Sequence, residues 1–254
     1  MRKYHTEKLS PHGTQGSAEW KECRRKYLTA SNFGGICKRK KSTLPHKAVA
    51  NLLYPKFGGN AATAHGLREE PETERMFLSW LVTEGASEVS VSHPDLVVVP
   101  GQTVLAASPD SIVCCKPGNT NFPSCFAVEY KNPKKLVDSG LTVDDAIGQK
   151  LPDFALTVSE GKYELKRNHA FYYQVQGVMA ATETSSAAFV IRGASGSMAV
   201  AWVAFDAEFF NRVMIPRLRK FYFEAILPEL SHPVMKECDQ PRPYFVEWDY
   251  HDLI

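Results

Sequence analysis

Residues 108–131 have the sequence SPDSIVCCKPGNTNFPSCFAVEYK, and this stretch decides the fold. Each end of it holds a short run of β-branched, aromatic and other apolar residues, and the middle is rich in Gly, Pro, Asn and Ser. That arrangement is typical of two neighbouring strands joined by a loop. Because successive side chains of a strand alternate between its faces, Glu129 and Lys131 are expected on one face, and Val128 and Tyr130 on the other.

The Glu129 and Lys131 pair has the chemistry of a hydrolytic site. The carboxylate can ligate a hard cation, and the ammonium can orient a water molecule and offset charge on a phosphate. Taken alone, the pair is equally well explained as a surface salt bridge along a strand. The sequence Ser108-Pro109-Asp110-Ser111 changes this balance, because its proline and short polar residues favour a tight turn that can aim Asp110 toward Glu129.

Glu70 is a third candidate carboxylate. It lies seven and eleven residues before Phe77 and Leu81, which places all three on one helical stripe that faces the core. An ionised carboxylate in such a position costs free energy unless a cation meets it, and a metal held together with Asp110 and Glu129 would be that cation. The alternative is a glutamate at a helix start, which the helix dipole favours.

The rest of the chain alternates between helical and strand patterns, which predicts an α/β fold with a mixed central sheet flanked by helices. Residues 1–16 are expected to be a flexible arm and residues 17–254 a single domain. Pro71 is expected to kink its helix or to mark its start, and residues 132–168 are expected to form loops. Helices are predicted at about 17–27, from 29, at 45–57, 61–83 and 168–183, and from 206; strands are predicted at 97–99, 104–106, 112–114, 126–131, 187–192 and 198–205.

Charge is distributed unevenly along the 254 residues. Residues 1–50 carry twelve Lys and Arg against three Glu, a net +9, and the remainder carries −7, which gives +2 overall. A basic part suits a polyanionic partner, although a solvated basic surface is an equal alternative. The basic run over residues 38–41 is compatible with a nuclear localisation signal, a phosphate contact or a solvated turn.

No run of eighteen apolar residues occurs in the sequence, so we expect a soluble intracellular protein, cytoplasmic or nuclear, without a membrane partner. The six cysteines are scattered without a C-x-x-C pair. That spacing gives little support to a zinc or iron–sulfur site, and we expect reduced thiols.

Several motifs occur in an order that resembles the YqaJ-like viral recombinase family, the lambda-exonuclease type of the PD-(D/E)XK nuclease superfamily. The resemblance covers most of the chain, from about residue 17 to residue 229. The motifs are W-x-x-x-R at residues 20–24 with T-A-S at 29–31, G-x-x-x-E-P at 66–71, S-P-D at 108–110, E-x-K at 129–131 and Y-x-Q-x-Q at 172–176. One departure is Ser111, where the family usually has glycine, and this puts the turn geometry in question.

The resemblance implies a restriction-endonuclease-like core and a role for each matching residue. Two Mg²⁺ ions, which Mn²⁺ would replace, would be held by Glu70, Asp110, Glu129 and the main-chain carbonyl of Tyr130. Lys131 would position the attacking water. Three further residues have implied roles: Gln174 would hydrogen-bond within the site, to the water or to Lys131, and Arg24 and Ser31 would hold the 5′-phosphate of a DNA end.

The activity implied is 5′→3′ exonuclease action on 5′-phosphorylated duplex DNA, leaving a 3′ single-stranded tail for recombination or DNA processing. Three alternatives stay open: an endonuclease with the same site, an inactive DNA-binding module of a recombination system, and cleavage of RNA. The implied partners are duplex DNA with a free end, a single-strand-annealing protein and, in a homotrimer, two further copies of the chain.

Overall fold

The computed structural model describes residues 17–40, 42–55, 61–118 and 122–235, so the predicted arm at 1–16 lies outside the described residues. The helices are α1 (Ala18–Arg25), α2 (Ala30–Cys37), α3 (His46–Leu53), α4 (Ala61–Thr83), α5 (Lys134–Asp138), α6 (Val143–Gly148) and α7 (Ala170–Thr182). The strands are β1 (Leu28–Thr29), β2 (Ser87–Ser92), β3 (Val97–Val98), β4 (Leu105–Ala107), β5 (Ser111–Lys116), β6 (Cys125–Lys131), β7 (Leu156–Ser159), β8 (Lys162–Leu165), β9 (Ser186–Arg192) and β10 (Met198–Ala204).

A five-stranded mixed sheet in the order β10-β9-β6-β5-β2 forms the centre of the fold. Strands β6 and β9 run parallel, whereas the other three pairs are antiparallel. A smaller sheet has the order β1-β4-β3, and β7 pairs with β8 as a hairpin. The predicted α/β class with a mixed sheet flanked by helices is therefore confirmed.

The central strand β6 is buried on both faces. Val128 and Tyr130 share one apolar cluster with Phe77 of α4, while Ala127 belongs to the cluster on the other face, which contains Val175 of α7. The alternation predicted for this strand is thus present, because each face packs against its own helix. Glu129 consequently lies on the α7 face.

Helices α2 and α7 approach each other closely at two glycines. A Cβ atom on Gly34 would lie 2.6 Å from the Cα atom of Ala170, and one on Gly177 would lie 2.5 Å from the ring of Phe33. Neither position leaves room for a methyl group without a shift of a neighbouring helix or ring. The helix that begins at the T-A-S motif is therefore packed directly on the helix that carries Gln174.

The expectation of loops over residues 132–168 is wrong, because α5, α6 and the β7–β8 hairpin lie there. Helix α6 begins at a capping box in which the side chain of Thr142 accepts from the main-chain N–H of Asp145, and the Asp145 carboxylate accepts from that of Thr142. Pro71 does not mark a helix start either, since α4 begins ten residues before it and continues through it.

The end of the described chain is helical over residues 207–231. Its α-helical parts, Ala207–Phe209, Ile215–Phe221 and Leu227–Ser231, alternate with π-helical turns at Phe210–Met214 and Tyr222–Ile226. Pro216 lies just after the first π-helical turn, and a change in helical winding is a common way to accommodate a proline that lacks an N–H. The winding of the helix thus changes locally at this proline.

Cys114 and Cys125 are joined by a disulfide between facing positions of β5 and β6, which corrects the expectation that all cysteines are reduced. Their pairing depends on the strand register, and the sequence spacing alone does not reveal it. Cys23, Cys37 and Cys115 are free. Among the described residues, no helix combines the length and the apolar character that crossing a membrane requires.

Candidate active site

Asp110 and Glu129 lie side by side at one end of the sheet. In the antiparallel pairing of β5 and β6, Ser111 faces Val128, so the residue before β5 lies beside the end of β6. The main-chain N–H of Tyr130 donates to Oδ2 of Asp110 at 2.7 Å. This bond holds the aspartate across the strand pair, in the direction that the turn sequence predicts.

Ser111 occupies the position where the family usually has glycine, and it adopts ordinary strand geometry as the first residue of β5. It is not among the described residues with a positive φ angle. Its buried hydroxyl lies 3.2 Å from the phenol oxygen of Tyr130. The serine therefore fits the turn and adds a contact on the face of the sheet opposite Glu129.

Lys131 and Gln174 both reach Glu129 on the α7 face of β6. The Lys131 ammonium lies 2.5 Å from Oε1 of Glu129, with 3% of the glutamate side chain and 20% of the lysine side chain exposed. The amide of Gln174 donates to the same oxygen. The contact of Gln174 is thus with Glu129, rather than with Lys131 as the resemblance allowed.

The second glutamine of the helix motif has a structural role. Gln176 donates to the main-chain carbonyl of Ala204 at 2.9 Å and accepts from the main-chain N–H of Asp206 at 2.8 Å. It therefore joins α7 to the segment that follows β10. Gln174, by contrast, contacts Glu129 in the candidate site.

The second carboxylate oxygen of Glu129 is a candidate ligand for a cation. Oε2 is buried and has no hydrogen-bond partner among the described residues. An ionised oxygen without a partner in a protein interior is costly, and a hard cation is a suitable partner for it. The oxygen-only donor set of Glu70, Asp110 and Glu129 fits Mg²⁺ or Mn²⁺.

The three carboxylates are not gathered into a closed metal cluster in the described part of the chain. Like charges repel one another when no cation lies between them, and Glu129 instead binds the ammonium of Lys131. The four predicted groups nevertheless share one electrostatic environment. The charge of Asp110 acts on both Glu70 and Glu129, and Lys131 acts on all three acids.

Burial and mutual repulsion raise the pKa of all three acids above the ordinary value of a carboxyl group. Burial, followed by the charge of Asp110, raises the pKa of Glu129 to about 8 and that of Glu70 to about 7. Burial also raises the pKa of Asp110, against the opposing effects of Lys131 and of the bond from Tyr130. Carboxyls that hold their protons this firmly mark a site that gains from a bound cation.

This arrangement predicts how stability depends on pH and metal. In a chelator, the melting temperature is expected to fall as the pH rises from about 5 to above 8, because folding raises the pKa of these acids and protonation stabilises the folded state. Added Mg²⁺ is expected to stabilise most at the alkaline end, where protons no longer compete. Differential scanning fluorimetry with EDTA or MgCl₂ measures both effects.

Glu129→Gln is the matched variant, because it removes the most buried of the titrating groups and keeps its shape. It is expected to flatten the pH dependence in EDTA and to reduce the stabilisation by Mg²⁺. A melting temperature in EDTA that rises between pH 5 and pH 9 would contradict the assignment.

Arg24 lies in a pocket lined by hydroxyl groups. Its guanidinium donates to the hydroxyls of Ser108 at 2.8 Å, Thr29 at 3.2 Å and Ser31 at 3.3 Å. Ser31 lies in the first turn of α2, whose N-terminal main-chain N–H groups favour an anion. Ser108 lies two residues before Asp110, so the Arg24 pocket adjoins the carboxylates.

Burial lowers the pKa of Arg24, whereas the charge of Glu129 raises it, which is a second sign that the two parts of the site are close. Ser108 and Thr29 were not among the predicted site residues, although each belongs to a motif, S-P-D or T-A-S, that was recognised. The sequence motifs therefore contain both residues, but only their contacts with Arg24 in the folded chain identify them as part of the site.

Two further groups at the site escaped the sequence analysis. The ring of Phe171 lies under the Lys131 ammonium, 4.9 Å from ring centroid to Nζ. Glu74 lies one helical turn after Glu70, binds Nε2 of His93 at 2.9 Å, and raises the pKa of Glu70 and of Asp110. The i,i+4 spacing of the two glutamates on α4 was the available signal for Glu74.

Comparison with known proteins identifies related folds. An alkaline exonuclease of Laribacter hongkongensis has a TM-score of 0.57 at 20% identity, covering 85% of this chain and 95% of that one. Its complex with dAMP has a TM-score of 0.58 at 19% identity with the same coverage. A phage-related exonuclease of Haemophilus somnus has a TM-score of 0.49 at 16% identity, covering 82% of this chain and 98% of that one.

No curated protein matches the sequence. The family model of the YqaJ-like viral recombinase domain matches residues 19–185, which is more than half of the chain and contains all the motifs. The fold is similar to that of the alkaline exonuclease of Laribacter hongkongensis. The chain therefore belongs to the YqaJ-like viral recombinase family.

Proposed function

We propose that this protein is a magnesium-dependent exonuclease that degrades duplex DNA from a 5′-phosphorylated end and leaves a 3′ single-stranded tail. The observation that carries the proposal is the position of the Arg24 pocket beside the carboxylates. Arg24 binds Ser108, two residues from Asp110, and its pKa responds to the charge of Glu129. An anion-binding pocket next to a cation-binding site suits a terminal phosphate next to the bond that is cut.

Glu70, Asp110, Glu129 and the main-chain carbonyl of Tyr130 would hold two Mg²⁺ ions, and Mn²⁺ would substitute. When bound, the metal would lower the pKa of the attacking water and stabilise the departing 3′ oxygen. The buried, unpartnered Oε2 of Glu129 and the raised pKa of each acid support this assignment.

The chain's own groups orient the reactants. The Lys131 ammonium would position the attacking water and offset the charge that grows on the phosphate oxygens. Gln174 fixes the Glu129 carboxylate through its amide. Arg24 would turn its forked set of donors onto the terminal phosphate, helped by the hydroxyl of Ser31.

This layout supports the proposed 5′→3′ direction of digestion. A 5′-terminal phosphate held by Arg24 would place the first phosphodiester bond of the same strand at the carboxylates. Each cut would release a nucleotide and present the next 5′-phosphate to the pocket. The complementary strand would stay intact and become the 3′ tail.

Digestion of linear duplex DNA labelled at either end, with and without the 5′-phosphate, tests the proposal. In Mg²⁺ we expect release of labelled nucleotide from the 5′ end first, faster with the phosphate, and no release in EDTA. Closed circular duplex and labelled RNA duplex serve as controls. Nicking of the circle would support an endonuclease instead, and cutting of RNA alone would overturn the DNA substrate.

Two further proposals come from the family resemblance. A homotrimer would have a mass in light scattering three times the 28.4 kDa of the chain. A single-strand-annealing protein would bind the 3′ tail as it emerges, and its addition to the digestion would protect that tail. A monomeric mass at working concentration would contradict the trimer.

A further inference from the structure

The N-terminal part of α7, residues 170–174, contacts both members of the Lys131–Glu129 pair. Phe171 lies under the Lys131 ammonium, and Gln174, three residues later on the same side of the helix, donates to Glu129. Any shift of this part of the helix would move both contacts together. The position of the start of α7 therefore matters for the reactive groups.

His169 is the N-cap of α7, and both of its ring nitrogens are engaged. Nδ1 lies 3.2 Å from the main-chain nitrogen of Phe171, and Nε2 lies 3.2 Å from the main-chain oxygen of Asp153. A main-chain N–H can only donate and a carbonyl can only accept. Both bonds therefore exist together only in the neutral tautomer that carries its proton on Nε2.

The surroundings of His169 favour that neutral form. Its side chain is 11% exposed and lies at the N-terminus of a helix, where a positive charge is unfavourable. Burial, with added repulsion from Lys38 and Lys166, lowers its pKa despite the carbonyl and carboxylate of Asp153. The ring also contacts Phe171, with centroids 4.7 Å apart, so the cap and the aromatic residue move as one unit.

We propose that His169 is a positioning residue for the nuclease reaction. Its neutral imidazole, held between the Asp153 carbonyl and the Phe171 amide, fixes the first turn of α7 so that Phe171 and Gln174 hold Lys131 and Glu129 in their reactive arrangement. The inference rests on the proposed function. His169 would act through Phe171 and Gln174 and would take no part in proton transfer.

The test compares His169→Ala with His169→Asn and with Thr142→Ala. His169→Ala is expected to lower kcat about 10- to 100-fold while the KM for DNA stays within about twofold, because misplaced reacting groups slow chemistry more than binding. His169→Asn is expected to restore most of kcat, since its side-chain oxygen can accept from the same amide. Thr142→Ala removes the cap of α6 in the same way. It is expected to lower the melting temperature about as much as His169→Ala does, without lowering kcat.

¹⁵N chemical shifts of the His169 ring near pH 7.5 are expected to show a neutral imidazole with the proton on Nε2. A proton on Nδ1 would overturn the proposal, as would a loss that appears in KM or an equal loss of kcat in Thr142→Ala. An active wild type with an unaffected His169→Ala would overturn the role of His169 alone. A wild type without nuclease activity would overturn the proposed function together with this role.

Discussion

Replacing Lys131 with alanine is expected to remove nearly all DNA cleavage while leaving DNA binding in place. The ammonium lies 2.5 Å from Glu129 and over the ring of Phe171. Under the proposed mechanism it positions the attacking water and offsets charge on the phosphate. Loss of a group that stabilises charge only in the transition state costs about 10²- to 10³-fold in rate. Single-turnover digestion of a 5′-phosphorylated duplex measures this loss.

DNA binding by the same variant is measured by fluorescence anisotropy, with Ca²⁺ in place of Mg²⁺. Lys116→Ala is the matched control, because Lys116 forms an ion pair with Glu88 of similar length on an exposed surface, with 68% and 67% of the two side chains exposed. It is expected to cleave like the wild type. Near-wild-type cleavage by Lys131→Ala would remove the lysine from the mechanism and would refute the assignment of the E-x-K motif.

The second large effect is expected from Arg24→Ala, which should erase the preference for a 5′-phosphorylated end. Charge-assisted hydrogen bonds contribute about 1.5–3 kcal/mol, which corresponds to about 10- to 100-fold in the ratio of rates for phosphorylated and unphosphorylated ends. The variant should cleave both substrates at a similar slow rate. Competition between the two duplexes, each with its own fluorophore, gives the ratio directly.

Arg25→Ala is the matched control for this experiment. Arg25 is the next residue along α1, but its guanidinium binds Glu22 at the surface, and 47% of its side chain is exposed. It is expected to keep the preference for the phosphate. Equal losses in the two variants would point to general attraction between a basic helix and DNA, and would remove Arg24 from specific recognition of the end.

Sequence patterns predicted the local parts of this fold well. The alternation in β6, the helical stripe of α4 and the turn at Ser108–Asp110 each depend on residues that are close along the chain. The parallel pairing of β6 with β9 and the disulfide between Cys114 and Cys125 depend on which distant strands meet and in which register. The missed hairpin at residues 156–165 has no conspicuous turn motif beyond Gly161.

In the candidate site, too, the local features could be predicted from the sequence and the long-range contacts could not. The structure places the predicted acids, Lys131 and Gln174 in one region, and it places Arg24 beside Ser31. Their catalytic and binding roles stay predictions. Two contacts of α7 could not be predicted: the hydrogen bond of Gln174 to Glu129 and the capping of the helix by His169. Both depend on how α7 packs on the sheet and on the segment around Asp153.

Gly34 has a consequence for how such an enzyme can change over time. With only a hydrogen as its side chain, it lets the helix bearing Ser31 touch the backbone at the start of the helix bearing Gln174. Under the proposed function, recognition of the 5′ end and alignment of the hydrolytic groups would thus both depend on this one contact between helices. A bulkier residue at position 34 would disturb this contact and therefore both functions. We expect end recognition and catalysis to change together during evolution rather than separately.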